Sequence, residues 1–140
     1  MLYLETSLLV AALTREEKTA AVHSWLDVQE PAELAISEWV VTEFSAALSS
    51  KLRTGQIAAD GRAAALQAFT RLAAESLTVV PISGLHFRAA ARLADQHAFG
   101  LRAGAALHLA VCADHAATLA TLDRRLSEAG SALGIMITLL

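Results

Sequence analysis

The sequence is poor in several residue types, and each shortage closes off a class of protein. A single cysteine, Cys112, stands among 140 residues. No internal disulfide is available, and its place in the apolar run Leu107–Ala113 marks it as a small buried hydrophobe. A reducing, cytoplasmic setting is the expectation. Only 2 prolines and 7 glycines punctuate the chain, all expected where elements end. No glycine-rich phosphate loop is present. Basic charge is also short: 11 lysines and arginines stand against 14 aspartates and glutamates, for a net charge of -3. Contact with nucleic acid must then come from local arginines or bound cations, not from a basic surface. No apolar run approaches the roughly 20 residues that cross a bilayer. Glu5 breaks the first apolar stretch, which therefore does not read as a signal peptide. No membrane partner is expected.

What is present is apolar and rich in alanine. Hydrophobic residues make up 55% and charged residues 18%, which suits one folded domain, residues 1–140, with closely packed helices. Strands are expected at Leu2–Leu4, Glu33–Ser37, Leu77–Pro81, Thr118–Leu122 and, less regularly, Ile135–Thr138. Helices fit between them. Leu8–Leu13 is expected to be capped by Thr6 and Ser7, and Lys18–Asp27 to turn Ala21, Val22, Trp25 and Leu26 to one face. A long helix capped by Ser37 runs to Arg53, with Val40, Val41, Phe44, Leu48 and Leu52 as its stripe. Ala58–Glu75 follows, with Leu66, Phe69 and Leu72 inward. Then come a helix from Ser83 to His97, a loop at Phe99–Gly104, Ala105–His115, and a short helix from Asp123 to Ala129. Strands alternating with helices imply a small, mostly parallel sheet flanked by helices on both faces, an α/β fold. The helical hairpin between the second and third strands offers either a dimer or partner surface or ordinary packing on the sheet.

In such sheets ligands sit beyond the carboxyl ends of the strands. Glu5 ends the first strand and Asp123 the fourth. Glu43 lies about a turn and a half past Ser37, at the same end. Carboxylates gathered this way repel unless a proton or cation joins them. Oxygen ligands suit Mg²⁺ or Mn²⁺, and such an ion activates water and offsets charge on a phosphodiester. The alternative reading is three solvated acids at helix starts, favourable there through the helix dipole.

Four segments in order carry a family resemblance. They are Leu2-Tyr3-Leu4-Glu5-Thr6-Ser7-Leu8-Leu9-Val10-Ala11, Ser37-Glu38-Trp39-Val40-Val41-Thr42-Glu43-Phe44, Leu101-Arg102-Ala103-Gly104-Ala105-Ala106-Leu107-His108-Leu109-Ala110 and Thr121-Leu122-Asp123-Arg124-Arg125-Leu126. Together they resemble the motifs of PIN domains, specifically of VapC toxins from toxin–antitoxin pairs. The resemblance implies an RNase-H-like PIN fold and Mg²⁺- or Mn²⁺-dependent cleavage of an RNA substrate. It also implies a homodimer and inhibition by a VapB-like antitoxin.

The resemblance further implies four acids. Glu43 and Asp123 match two of them. Glu5 stands where the pattern has aspartate, and Ala105 stands where the third acid, also an aspartate, belongs. Thr6, Ser7 and Thr121 match its hydroxyl positions. One added methylene moves the Glu5 carboxylate by about 1 Å, against a tolerance of about 0.5 Å in productive sites. Ala105 brings no ligand atom. Weak metal binding and strongly reduced cleavage are expected.

Arg102, Arg124 and Arg125 border the expected site and suit phosphate contact, or else pair with acids or solvent. His108 reads as a packed, hydrogen-bonded histidine more readily than as a ligand. His23, His86, His97 and His115 show no ligand spacing. Glu38 and Asp95 read as solvated acids, and Trp39 as a helix anchor or a stacking surface for a partner. Two further readings stand beside the nuclease. One is a PIN domain that binds RNA or antitoxin without cutting. The other is a flavodoxin-like regulatory domain, which leaves the four ordered motifs without a cause.

Overall fold

A computed structural model describes residues 1–140. Five strands are present: β1 at Leu2–Leu4, β2 at Leu34–Ser37, β3 at Thr78–Val80, β4 at Thr118–Thr121 and β5 at Ile137–Leu139. Seven α-helices join them: α1 at Thr6–Leu13, α2 at Thr19–Leu26, α3 at Glu38–Arg53, α4 at Ala59–Glu75, α5 at Gly84–Ala94, α6 at Ala103–Asp114 and α7 at Arg124–Ala132. Every strand pairing is parallel, in the order β3-β2-β1-β4-β5. The expected α/β architecture is therefore present.

Short apolar strands flanked by helices must bury both faces, which is why β1 reads as an unbroken apolar run. Leu2 sits beside Leu34 of β2 and Thr118 of β4, and Tyr3 and Leu4 are each 1% exposed. From β1 the chain builds β2 and β3 outward on one side, then returns to build β4 and β5 on the other. The order reverses between β1 and β4, and their carboxyl ends flank the crevice where open α/β sheets bind ligands.

A core of 23 buried residues runs through the molecule. Phe44 of α3 and Phe69 of α4 stack in it, with ring centroids 4.3 Å apart at 16°. The α3–α4 hairpin is thus packed on the core at this end. The stripe of α3 is narrower than its spacing suggests, since Val41 is 39% and Leu52 36% exposed. On α2, Val22 is buried while Ala21 is exposed.

Several boundaries differ from those read in the sequence. β2 starts at Leu34 because Pro31–Glu33 forms a 3-10 turn. α1 begins at Thr6, since Glu5 takes the N-cap in place of Thr6 and Ser7. α5 stops at Ala94, short of His97, and the 3-10 turn His97–Phe99 ends on Gly100 at a φ of 59°. α6 starts at Ala103, inside the expected loop, and α7 runs on to Ala132. β5 lies at Ile137–Leu139 instead of Ile135–Thr138.

Glycines also depart from the expectation. Gly61, Gly104 and Gly130 lie within helices. A Cβ at Gly130 would stand 2.7 Å from Ile137 Cδ1 and 2.9 Å from Leu109 Cδ2. α7 is seated too closely on β5 and α6 to carry a side chain there.

Candidate metal centre and nucleic-acid interface

The crevice holds an open cavity of about 520 Å³, lined by Glu5, Thr6, Ser7, Glu43, Leu122 and Asp123 among others. The three expected acids thus share one cavity, but they do not play equal parts in it.

Glu5 follows β1 directly and is only 8% exposed. Its Oε2 accepts from the Ser7 amide at 3.0 Å, from the Ser7 hydroxyl, and from Thr121 Oγ1 at 2.9 Å. Charge-assisted bonds of this kind orient a carboxylate strongly. Ser7 Oγ in turn accepts from the Leu122 amide at 3.1 Å, and Thr121 Oγ1 from the Asp123 amide at 3.0 Å. The other Glu5 oxygen, Oε1, makes no hydrogen bond and faces His108 Nε2 at 3.8 Å.

Glu43 reaches the same point from α3. Its Oε2 accepts from Thr6 Oγ1 at 2.6 Å and lies 2.7 Å from His108 Nε2. Its Oε1 and Trp39 Nε1 converge over Gly104, where a Cβ would come within 2.7 Å and 3.3 Å of them. Trp39 Nε1 is buried and completes no hydrogen bond of good geometry, yet its positive edge faces the carboxylate. Burial alone would raise the Glu43 pKa. The hydrogen bond and electrostatic attraction of His108, with the donors of Thr6 and Trp39, outweigh burial and hold the carboxyl below its ordinary range.

His108 is 2% exposed and bonded at both ring nitrogens, as a packed histidine should be. Its Nδ1 meets Tyr3 Oη at 2.9 Å, and Tyr3 Oη meets Ser37 Oγ at 2.7 Å. Ser37 occupies the N-cap position of α3, but its hydroxyl makes no capping bond and holds Tyr3 instead. Burial raises the Tyr3 pKa strongly, so the phenol keeps its proton. The signal for this partnership was in the sequence, since His108 lies one turn after Ala105, the position with no acid. Its contact with Tyr3 depends on the register of β1 against the rest of the sheet and has no local signature.

Asp123 stands apart. Its Oδ1 caps α7, accepting from the Arg125 and Leu126 amides at 2.9 Å and 3.1 Å. It borders the main cavity and also a second one of about 240 Å³, which Ala105, Arg102 and Arg125 line as well. Ala105 thus faces open space where a longer side chain has room. None of Arg102, Arg124 and Arg125 forms an ion pair, and Arg124 does not line the second cavity. Glu38 and Asp95 are exposed. Cys112 is buried, which pushes its thiol pKa up to about 12; it is unreactive at neutral pH.

One donor atom each from Glu5, Glu43 and His108 lies within 4.8 Å of the others. Carboxylate and imidazole donors at that spacing fit a divalent cation. The sequence reading paired Glu5 and Glu43 with Asp123; the tight cluster instead has His108 as its third member.

A parallel α/β sheet with acids gathered at its switch point defines a class of fold and site. Within that class, a family model described as PIN domain matches residues 2–131, and the chain belongs to the PIN-domain family. Solved structures share the fold at low identity. VapC20 of Mycobacterium tuberculosis, described as a sarcin-ricin loop cleaving toxin, has 16% identity and a TM-score of 0.75, covering 97% of each chain. FitAcB from Neisseria gonorrhoeae has 17% identity and a TM-score of 0.72, covering 98% of this chain and 96% of that one. VapBC2 from Rickettsia felis, bound to a promoter DNA fragment, has 19% identity and a TM-score of 0.70, covering 99% and 98%. Among curated proteins, none matches by sequence. No helix is long and apolar enough to cross a membrane.

Proposed function

We propose that this chain is a VapC-type toxin, a divalent-ion-dependent endoribonuclease whose cleavage is impaired by Glu5 and Ala105. The observation that carries the reading is the convergence of Glu5 and Glu43 on a cavity that Asp123 also lines, within a PIN-family chain. Glu5 and Glu43 would hold Mg²⁺ or Mn²⁺, with Asp123 across the cavity. When bound, such an ion lowers the pKa of water and offsets charge on a phosphodiester.

The protein's own groups set the stage. Thr6, Ser7 and Thr121 fix the carboxylates by direct hydrogen bonds. Arg102 and Arg125, unpaired beside Asp123, suit RNA phosphates as bidentate donors. Arg124, the first residue of α7, does not line the second cavity. The similar folds include toxin–antitoxin complexes, some bound to DNA, which supports a VapB-like antitoxin as partner; a homodimer is part of the reading on the family resemblance alone.

Ala105 favours a second reading, a binding module that docks RNA or antitoxin without cutting. No oxygen replaces the missing acid, and one Asp123 oxygen is committed to the α7 cap. One assay separates the two. Purified chain with Mn²⁺ should cut structured RNA poorly. The double substitution Glu5→Asp/Ala105→Asp should recover cutting that EDTA abolishes. A double variant that stays inert on a broad RNA panel, while still binding RNA or antitoxin, selects the binding module.

A further inference from the structure

We infer that His108 is a metal ligand, and that Glu5, Glu43 and His108 form a mixed oxygen–nitrogen site selective for a borderline transition ion such as Zn²⁺ or Co²⁺ over Mg²⁺. The inference rests on the metal-site part of the proposed function, replaces Mg²⁺ there with a borderline ion as the favoured occupant, and is independent of RNA cleavage.

A four-coordinate zinc ion has bonds of about 2.0–2.2 Å to nitrogen and oxygen, which sets its donors about 3.4 Å apart. His108 Nε2 lies 2.7 Å from Glu43 Oε2 and 3.8 Å from Glu5 Oε1. Shifts below 1 Å bring both spacings to that value. Glu5 Oε1 also has no competing bond, because the donors around Glu5 all converge on Oε2.

A ligating imidazole must present a bare Nε2 and carry its proton on Nδ1, where a second partner accepts it. Here that partner is a hydroxyl pair. With Nε2 protonated, Tyr3 O–H donates to Nδ1 and Ser37 O–H donates to Tyr3. With Nε2 bound to a metal, both bonds reverse: Nδ1–H donates to Tyr3 Oη, and Tyr3 O–H donates to Ser37 Oγ. The same 2.9 Å and 2.7 Å contacts serve both states, because hydroxyl protons rotate. A buried phenol that keeps its proton always has one to turn.

The ion's identity follows from the donors. Mg²⁺ favours an all-oxygen octahedron, and Ala105 withholds an oxygen from it. Imidazole raises affinity for Co²⁺, Ni²⁺ and Zn²⁺ over harder ions.

The test uses the full chain carrying His115→Ala, which removes the separate surface cluster of His86, Asp114 and His115, stripped of metal with EDTA and free of RNA. Calorimetry should show Zn²⁺ binding at least about tenfold tighter than Mg²⁺. Zinc should move the ¹⁵N resonance of His108 Nε2, and His108→Gln should weaken Zn²⁺ about ten- to a hundredfold. Tyr3→Phe should weaken Zn²⁺ about tenfold. Equal affinity for Zn²⁺ and Mg²⁺, or a His108 resonance that zinc leaves in place, overturns the inference. If His108→Gln does not fold, the resonance in the His108-containing chain decides. A chain that binds zinc through His108 while its Glu5→Asp/Ala105→Asp variant cuts no RNA keeps this site and loses the nuclease reading. Cutting with Mg²⁺ and a stationary His108 gives the reverse.

Discussion

Two clusters in this molecule draw on the same two residue types in inverse proportion and differ in character. Glu5, Glu43 and His108 meet at the sheet's switch point, and His86, Asp114 and His115 meet where α5 packs on α6. Both place imidazole nitrogens beside carboxylate oxygens, with His86 Nε2 3.0 Å and His115 Nε2 3.9 Å from Asp114 Oδ2. The difference lies in what holds the far side of each ring. His86 Nδ1 accepts the Ser83 amide at 3.0 Å, as half of a capping box for α5. A backbone N–H cannot turn round, so the neutral ring keeps its proton on Nε2 and donates it to Asp114. His108 leans instead on a hydroxyl, which can donate or accept. Ligand spacing is therefore a weaker guide than the partner behind the ring, and the first cluster suits an ion where the second suits a helix cap.

The contrast can be broken most directly at the two histidines. His108→Ala strands the half-buried Glu43 carboxylate and should lower unfolding free energy by about 3 kcal/mol in urea titrations. A loss under about 1 kcal/mol would mean that Glu43 relaxes into solvent and that the buried network is only loosely coupled.

Acid should sharpen it next. The Glu43 pKa is depressed in the fold, so its contribution is complete above the ordinary carboxylate value of 4.5 and fades as pH falls through the lower folded value. The stability lead of the unsubstituted chain over Glu43→Gln, followed by thermal melts, should therefore hold at pH 7 and shrink below about pH 4.5. A lead that grows on acidification contradicts the assignment.

His86→Ala removes half of the capping box and should cost about 1 kcal/mol, read as lost helix stability in hydrogen exchange of α5. His115→Ala, on an exposed ring, should stay within about 0.5 kcal/mol in the same urea titrations. A large effect at His115 would show that the surface cluster is more than a cap and a neighbour.

Much of this arrangement was legible in the chain. The apolar runs gave the strands, and Glu5 just after β1 and Asp123 at the start of α7 gave the acids their edge, because strand ends and helix starts have local chemistry. Fine boundaries were less so. The helix after Ser83 stops at Ala94 because a 3-10 turn ending on Gly100 intervenes, and nothing in the polar stretch Asp95–His97 announces it. The glycines misled for a similar reason. Gly104 and Gly130 are in helices because a neighbouring side chain occupies the place of a Cβ, and closeness in space leaves no local mark. The Tyr3 hydroxyl was invisible for the opposite cause, since a tyrosine in a core strand reads as bulk and not as a hydrogen-bonding group.

The central place of β1 has a kinetic consequence. Glu5 receives one of its hydrogen bonds from Thr121, 116 positions later in the chain, and β1 has one flank open until β4 joins it. Closing so long a loop is slow and depends on most of the chain having been made. On the ribosome the acids would exist long before they share an edge, and a nascent chain interrupted ahead of β4 carries Glu5 and Glu43 with no crevice to put them in.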